Sequence, residues 1–269
     1  MTGMHWLLGQ GGATGTHISL GQVAGTLVLI AVAIGVSFWR KADLEQDIAV
    51  AVIRSFVQLT IVGYVIQGIF NSDSLWLVFA LLAFMVLFGA WTARGRAKAV
   101  PHAFVPLLIA LATAAAVTLG IVLVLKVFEP KPRFMVPVGG MVIGNAMTSA
   151  SVALNRLADE IRDKAGLIEA TLALGATARQ ATTALVARSL RSGLIPLIDQ
   201  TKTTGVVFFP GTMVGALLGG ATPLNAVRLQ LILLWTLMGA AALSSLIATG
   251  LAQTRFFTPA QQLIDPPAP

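Results

Sequence analysis

Seven long apolar stretches decide what this chain can fold into. Each has about 20 residues, the length at which a helix rising about 1.5 Å per residue crosses the roughly 30 Å hydrocarbon core of a bilayer. None alternates polar and apolar residues as the strands of a membrane barrel do. The sequence therefore predicts an all-α, polytopic membrane helix bundle of about seven transmembrane helices. The predicted spans are 20–39, 48–70, 74–93, 103–126, 134–155, 196–220 and 225–250.

The basic residues predict how the bundle is oriented. Most of the 18 Lys and Arg residues fall in short connectors on one side of the predicted membrane. Because such connectors stay in the cytoplasm, we expect the N-terminus outside and the C-terminus inside. The net charge of +7 then reflects topology and does not indicate a nucleic-acid partner. We expect an extracytoplasmic tail over 1–18, a single transmembrane domain over 19–256 with a cytoplasmic region at about 157–193, and a cytoplasmic tail over 257–269.

The sequence contains no recognisable catalytic or cofactor-binding motif. Its three histidines, His5, His17 and His102, are scattered, and it has no cysteine. A Walker A sequence for binding ATP is also missing. We expect no catalytic residue and no cofactor in this chain, and we assign no metal ligand. An enzyme within the membrane is the least favoured class, because no residues supply both a nucleophile and a base.

The connector between the fifth and sixth predicted spans carries its own helix signals. Gly175 suits the left-handed conformation that ends a helix. Thr177, with Gln180 three residues later, matches the capping box that begins the next one. The pattern predicts a short helix, a sharp break and a second helix on the cytoplasmic side, between helices 5 and 6. Such a rigid pair indicates a docking site for a soluble partner, whereas the alternative is an ordinary solvated charged surface.

Two groups of polar residues within predicted spans are candidates for a translocation path. In the fifth span, polar residues recur at steps of three and four and fall largely on one helix face. In the sixth span, an acid and a base are spaced to share a face. Hydrogen bonding between helices explains the first group equally well, and a position near the cytoplasmic interface explains the second. The candidates are Asn145, Thr148, Ser149, Asn155, Asp199 and Lys202.

Four blocks of sequence together resemble the permease subunits of iron-export ABC transporters, whose plant relatives are aluminium-tolerance permeases. They are VPVGGMVIGNAMTSASVALNR at 136–156, EATLALGA at 169–176, IPLIDQTK at 195–202 and FPGTMVG at 209–215. The second block is also similar to the coupling motif of ABC importer permeases, with glycine six residues after glutamate. It departs from that motif at Thr171, where alanine is usual, and Pro196 lies farther downstream than the motif's proline.

The resemblance implies a transport subunit of the bacterial cytoplasmic membrane that exports iron or a related metal. It further implies a separate ATP-binding subunit, which holds ATP and Mg²⁺, and a second copy of this chain. The residues that it implies for coupling to the ATPase are Leu167, Glu169, Ala170, Leu174, Gly175, Thr177 and Gln180.

Two further functions stay open at the level of sequence. The first is a secondary transporter driven by an ion gradient, with Asp199 and Lys202 as its coupling pair. The second is a membrane scaffold or sensor whose cytoplasmic helix pair recruits a soluble protein without transport. Solute flux without an ATPase would indicate the first, and binding without flux would indicate the second.

Overall fold

A computed structural model describes residues 20–41, 43–72 and 74–264 of the chain. The predicted outer tail over 1–18 and the last five residues of the predicted inner tail lie outside the described residues. The chain divides into two compact units, residues 1–71 and 72–269. Apart from isolated bridges and a 3-10 turn, the regular structure of the described residues is α-helical. The all-α prediction is confirmed.

The first unit contains three helices: α1 over Leu20–Gly25, α2 over Leu27–Arg40 and α3 over Glu45–Ser72, which runs one residue past the unit boundary. The side chain of Ser37 joins the end of α2 to the beginning of α3. Its hydroxyl donates to Glu45 Oε1 at 2.8 Å and accepts from the backbone N–H of Leu44 at 3.1 Å. These bonds fix the turn between two segments that are long and apolar enough to cross a membrane, Gly21–Arg40, which includes α2, and α3.

The second unit is built around the long helix α6, Pro132–Asp163. Against it pack α4 (Leu75–Arg96), α5 (Phe104–Val124), α8 (Ala178–Thr203) and α10 (Pro223–Ala252). Two short helices complete the unit, α7 over Ala165–Ala173 and α9 over Gly211–Leu218. The core is lined by small residues of α6 and α10, including Ala146, Ala150 and Ala240, which allow the helices to approach closely.

Six of the seven predicted spans correspond to helices that are long and apolar enough to cross a membrane. The prediction of one continuous helix over 196–220 is wrong. α8 ends at Thr203, and Gly205, with φ of 88°, begins a turn in which its N–H donates to the carbonyl of Phe208 at 2.8 Å. The chain re-enters a helix only after Pro210. Hydropathy gave no sign of this break, because the turn contains valine and phenylalanine and is as apolar as the helices beside it.

The broken pair α8 and α9 nevertheless carries the chain from one end of the second unit to the other. At the beginning of α8, the buried hydroxyl of Thr182 lies 3.4 Å from Gln253 Oε1, just past the end of α10. α10 starts at Pro223, about 45 Å away along its own axis. The residues between Thr182 and Pro223 therefore run the length of the bundle. With the six continuous helices, this agrees with about seven crossings.

Candidate functional site

The predicted break between the two helices, now α7 and α8, is confirmed in detail. α7 ends in a Schellman motif, in which the N–H of Gly175 donates to the carbonyl of Leu172 at 2.9 Å and the N–H of Ala176 donates to that of Thr171 at 3.3 Å. Gly175 has φ of 90°, the left-handed conformation that favours glycine. The orphan carbonyls of α7 are thus satisfied within the turn, which gives the helix pair a fixed bend.

The beginning of α8 is capped from two sides. Thr177 Oγ1 accepts from the N–H of Gln180 at 3.3 Å, and Gln180 Oε1 accepts from the N–H of Thr177 at 2.8 Å, which is the predicted capping box. The N–H of Ala178 donates to Oε1 of Gln261 at 2.8 Å. The C-terminal segment was predicted only as a tail. It instead returns to the beginning of α8, where Gln261 makes this contact. Buried Phe256 anchors this segment in the bundle.

α7 presents an apolar stripe on its outer surface. Leu167 is 65% exposed and Leu174 is 89% exposed, with exposed Ala170 between them at helical spacing. Ile168, on the other side of the helix, is buried and holds α7 to the rest of the unit. Glu169 is exposed beside the stripe. Three small or apolar residues facing outward from a rigid turn form a surface suited to burial in the groove of another protein.

A carboxylate missed by the sequence analysis fixes the base of the helix pair. Glu160 of α6 is 5% exposed and accepts from Arg156 Nη2 at 2.7 Å and from Arg188 Nε, on α8, at 2.9 Å. Lys164 Nζ lies 3.5 Å from the same carboxylate. These pairs join the end of α6 to α8, the helices that precede and follow α7 in the chain. The spacing of Arg156, Glu160 and Lys164 by four residues was the available signal, but the bond to Arg188 spans 28 residues.

The polar residues of α6 do not all share one face. Asn145 and Asn155 are half-buried and Thr148 is exposed, so these three lie on the open side of the helix. Ser149 is buried against the rest of the unit, and its place on the predicted path is not supported by its orientation. Asn145 donates to the carbonyl of Met141 at 2.9 Å, and Thr148 to that of Gly144 at 3.1 Å. Their donors are satisfied locally, while the other polar atoms remain free to contact a solute.

Asp199 and Lys202 form an exposed ion pair near the middle of the bundle. The Lys202 ammonium lies 3.5 Å from Asp199 Oδ1, and the side chains are 71% and 61% exposed, respectively. Gly193 fixes the position of this pair along the bundle axis, because it packs against the Ser149 carbonyl on α6 and the Ser245 hydroxyl on α10. Asp199 is about one and two-thirds turns beyond Gly193, about 9 Å farther along α8.

The packing of α8 against α6 and α10 places the candidate residues of α6 and those of α8 at the same level along the bundle axis. α8 runs antiparallel to both α6 and α10, as the contacts of Arg188, Thr182 and Gly193 require. About 9 Å beyond Gly193, α8 is level with the part of α6 that holds Asn145, and with a point near residue 239, the middle of α10. The ion pair therefore lies near the middle of the bundle's length and not at its end, and the turn at 204–210 follows it directly.

Among the described residues, no three His, Cys, Asp or Glu side chains gather in one place as metal ligands. The oxygen-bearing groups at mid-depth are one carboxylate and the amides and hydroxyls of α6. Such ligands suit a hard cation or a chelate that passes through, and they do not build a closed metal site.

Comparison with known proteins identifies relatives over nearly the whole chain. Residues 20–257 match the uncharacterised protein family UPF0014. The rice UPF0014 membrane protein STAR2 is 41% identical over 247 residues, which cover 91% of this chain and 86% of STAR2. The Arabidopsis thaliana protein ALUMINUM SENSITIVE 3 is 40% identical over 241 residues, 89% of this chain and 88% of the relative. The Escherichia coli "Probable iron export permease protein FetB" is 35% identical over 248 residues, 92% and 96% of the two chains. No solved structure gives a significant match.

Proposed function

Because the chain belongs to the uncharacterised protein family UPF0014 and is 35% identical to a protein named "Probable iron export permease protein FetB", we propose that it is the permease subunit of an ABC transporter. It moves iron or a related metal out of the cytoplasm, with ATP and Mg²⁺ bound and hydrolysed by a separate subunit. The chain itself carries no ATPase site. The membrane is the cytoplasmic membrane of a bacterium.

The observation that carries this proposal is the rigid turn between α7 and α8. A surface helix that ends in a Schellman motif, is followed at once by a capping box and projects an apolar stripe is built to transmit movement. Exposed leucines such as Leu167 and Leu174 cost free energy in water, and burial in a partner's groove recovers about 1.5–3 kcal/mol for each. Glu160 connects this surface to the spans. Its ion pairs join α6 to α8, the helices before and after α7, so a movement of α7 is transmitted to both.

The proposed path lies along the open face of α6 and the end of α8. An ionised Asp or Lys at mid-depth costs about 2.5–3.5 kcal/mol when it faces lipid. Exposure of both Asp199 and Lys202 on the single chain therefore favours a surface that faces water or a second copy. A broken helix at the same depth is typical of the substrate sites of transporters. In this proposal two copies of the chain enclose the path, with Asn145, Thr148 and Asn155 on its wall.

The decisive experiment reconstitutes the chain with its ATP-binding partner in proteoliposomes and measures ATP-dependent iron movement. Leu174→Asp places a charge in the apolar stripe of α7. The matched control is Ala184→Asp, which adds the same charge at an exposed position of α8 away from the stripe. We expect Leu174→Asp to reduce both co-purification of the ATPase and its stimulation by about tenfold or more, and Ala184→Asp to leave both near the parent level.

Normal stimulation by the Leu174→Asp protein would refute the docking assignment. Iron flux that needs a proton or sodium gradient but no ATPase would instead identify a secondary transporter. Binding of the soluble partner without flux of any metal would identify a scaffold. Testing a panel of divalent and trivalent cations and their chelates in the same vesicles defines the exported species.

A further inference from the structure

A groove of about 370 Å³ lies where the beginning of α5 meets the end of α10. This volume falls within the range of sites that hold small molecules, roughly 300–1,000 Å³. The groove has two chemically different parts. Its wall within the helices is apolar, and its mouth, just beyond the helix ends, is cationic. The residues that define it are His102, Val105, Ile109, Leu251, Thr254 and Arg255.

The cationic mouth is held in place by the fold. Arg255 is followed directly by Phe256 and Phe257, both buried, so its backbone is anchored although its side chain is exposed. His102 has φ of 52°, a left-handed conformation that a side-chain-bearing residue adopts only where its surroundings fix it. Within the described part of the chain, neither residue has an ion-pair partner. Both residues thus line the groove as donors, with no carboxylate partner among the described residues.

The apolar wall determines what kind of anion fits. Val105, Ile109 and Leu251 have large, exposed side chains. Val105 and Leu251 lie one residue inside the ends of α5 and α10, and Ile109 lies more than one turn inside α5. Both helices are candidate membrane spans, so this wall lies at the edge of the hydrocarbon region. A ligand that satisfies both parts has a negatively charged head and a hydrocarbon chain. A free anion would leave the wall uncovered.

We propose that this groove binds one anionic phospholipid of the surrounding membrane. The phosphate accepts hydrogen bonds from Arg255 and His102, and an acyl chain lies along Val105, Ile109 and Leu251. Basic residues at the predicted cytoplasmic surface are attracted to anionic lipid by about 1 kcal/mol each, and a shaped apolar groove adds selectivity for a single molecule. The site adjoins the C-terminal segment that caps α8, and it is independent of the path and of α7.

Native mass spectrometry of the purified full-length chain tests this site. The protein in detergent is titrated in parallel with phosphatidylglycerol, with phosphatidylcholine of the same acyl chains, and with inorganic phosphate as a competitor. We expect one phosphatidylglycerol to bind at least about fivefold more tightly than phosphatidylcholine. The double variant His102→Gln with Arg255→Gln is expected to lose this preference, with binding of phosphatidylglycerol about tenfold weaker, since the guanidinium charge of Arg255 and the imidazole of His102 are removed from beside the phosphate.

The control is Lys98→Gln, which removes one charge from the same connector outside the groove. It should keep the preference, as should Arg255→Lys, which retains the charge. Both exposed positions tolerate substitution with little effect on stability, and an unchanged melting temperature verifies folding of the double variant. The proposal is overturned if the double variant keeps the preference, if Lys98→Gln loses as much, or if inorganic phosphate displaces the lipid at comparable concentration.

Discussion

Replacing Gly193 with alanine tests the helix register on which the depth of the ion pair depends. A Cβ at this position would lie 2.7 Å from the Ser149 carbonyl oxygen, 3.0 Å from Ala153 Cβ and 3.3 Å from Ser245 Oγ. The nearest atom belongs to the backbone of α6, so the contact is relieved only if α6 and α8 move apart. Overpacking of this kind costs about 1–3 kcal/mol. Alanine also stabilises a helix interior by about 0.5–1 kcal/mol relative to glycine.

The matched control is Gly250→Ala in α10, where an added Cβ meets no atom within 4 Å. It gains the same helix propensity without the steric contact, so the two variants should differ by about 1–3 kcal/mol. For a chain of this size, 1 kcal/mol shifts the melting temperature by about 2–4 °C. We therefore expect Gly193→Ala to melt roughly 2–12 °C below Gly250→Ala, as followed by tryptophan fluorescence in one detergent. Equal melting temperatures would show that α8 does not cross α6 at Gly193.

Three further experiments test individual interactions. Glu160→Gln should destabilise the protein by about 1–3 kcal/mol, because it weakens the charge-assisted hydrogen bonds to Arg156 and Arg188. The control Asp159→Asn, at an exposed position, should change the melting temperature little. Equal effects would show that the ion pairs of Glu160 contribute no more than an exposed charge. Gly175→Val meets no steric contact but places a branched residue at φ of 90°. We therefore expect ATPase stimulation to fall while the melting temperature drops by only a few degrees. Unchanged stimulation would contradict a rigid turn. Asp199→Asn and Lys202→Gln should each lower stability more than the double variant does, because each leaves one charge unpaired; three equal melting temperatures would place the pair in bulk water.

The features that sequence predicted well are those fixed by neighbours along the chain. The Schellman turn at Gly175 and the capping box of Thr177 and Gln180 each need only a few consecutive residues, and both are present. The long apolar helices follow from hydropathy alone, since the bilayer leaves the backbone no other hydrogen-bonding solution. The resemblance to the iron-export permeases was likewise confirmed by relatives that cover nearly the whole chain.

The missed features depend on residues distant in sequence. The bond between Arg188 and Glu160 and the cap that Gln261 gives to Ala178 span 28 and 83 residues, respectively. No periodicity in either segment specifies such a partner. The break after Thr203 was missed for a different reason, because hydropathy averages over a window and overlooks one positive-φ glycine followed by a proline. Gly205 and Pro210 were the local signal that should have divided the sixth span.

The break after Thr203 and the close crossing at Gly193 divide α8 into a closely packed part and an exposed polar end. A glycine at the crossing lets the backbones of α6 and α8 approach, which fixes the first half of α8 firmly against the core. Beyond that point the helix is polar from Asp199 to its end at Thr203, so its last turn is not held by the same packing. The structure thus joins a closely packed part of α8, which Glu160 connects to the end of α6, to a polar end near the middle of the bundle. Under the proposed function, a movement of α7 passes through the packed part and reaches the ion pair where the helix is less tightly held.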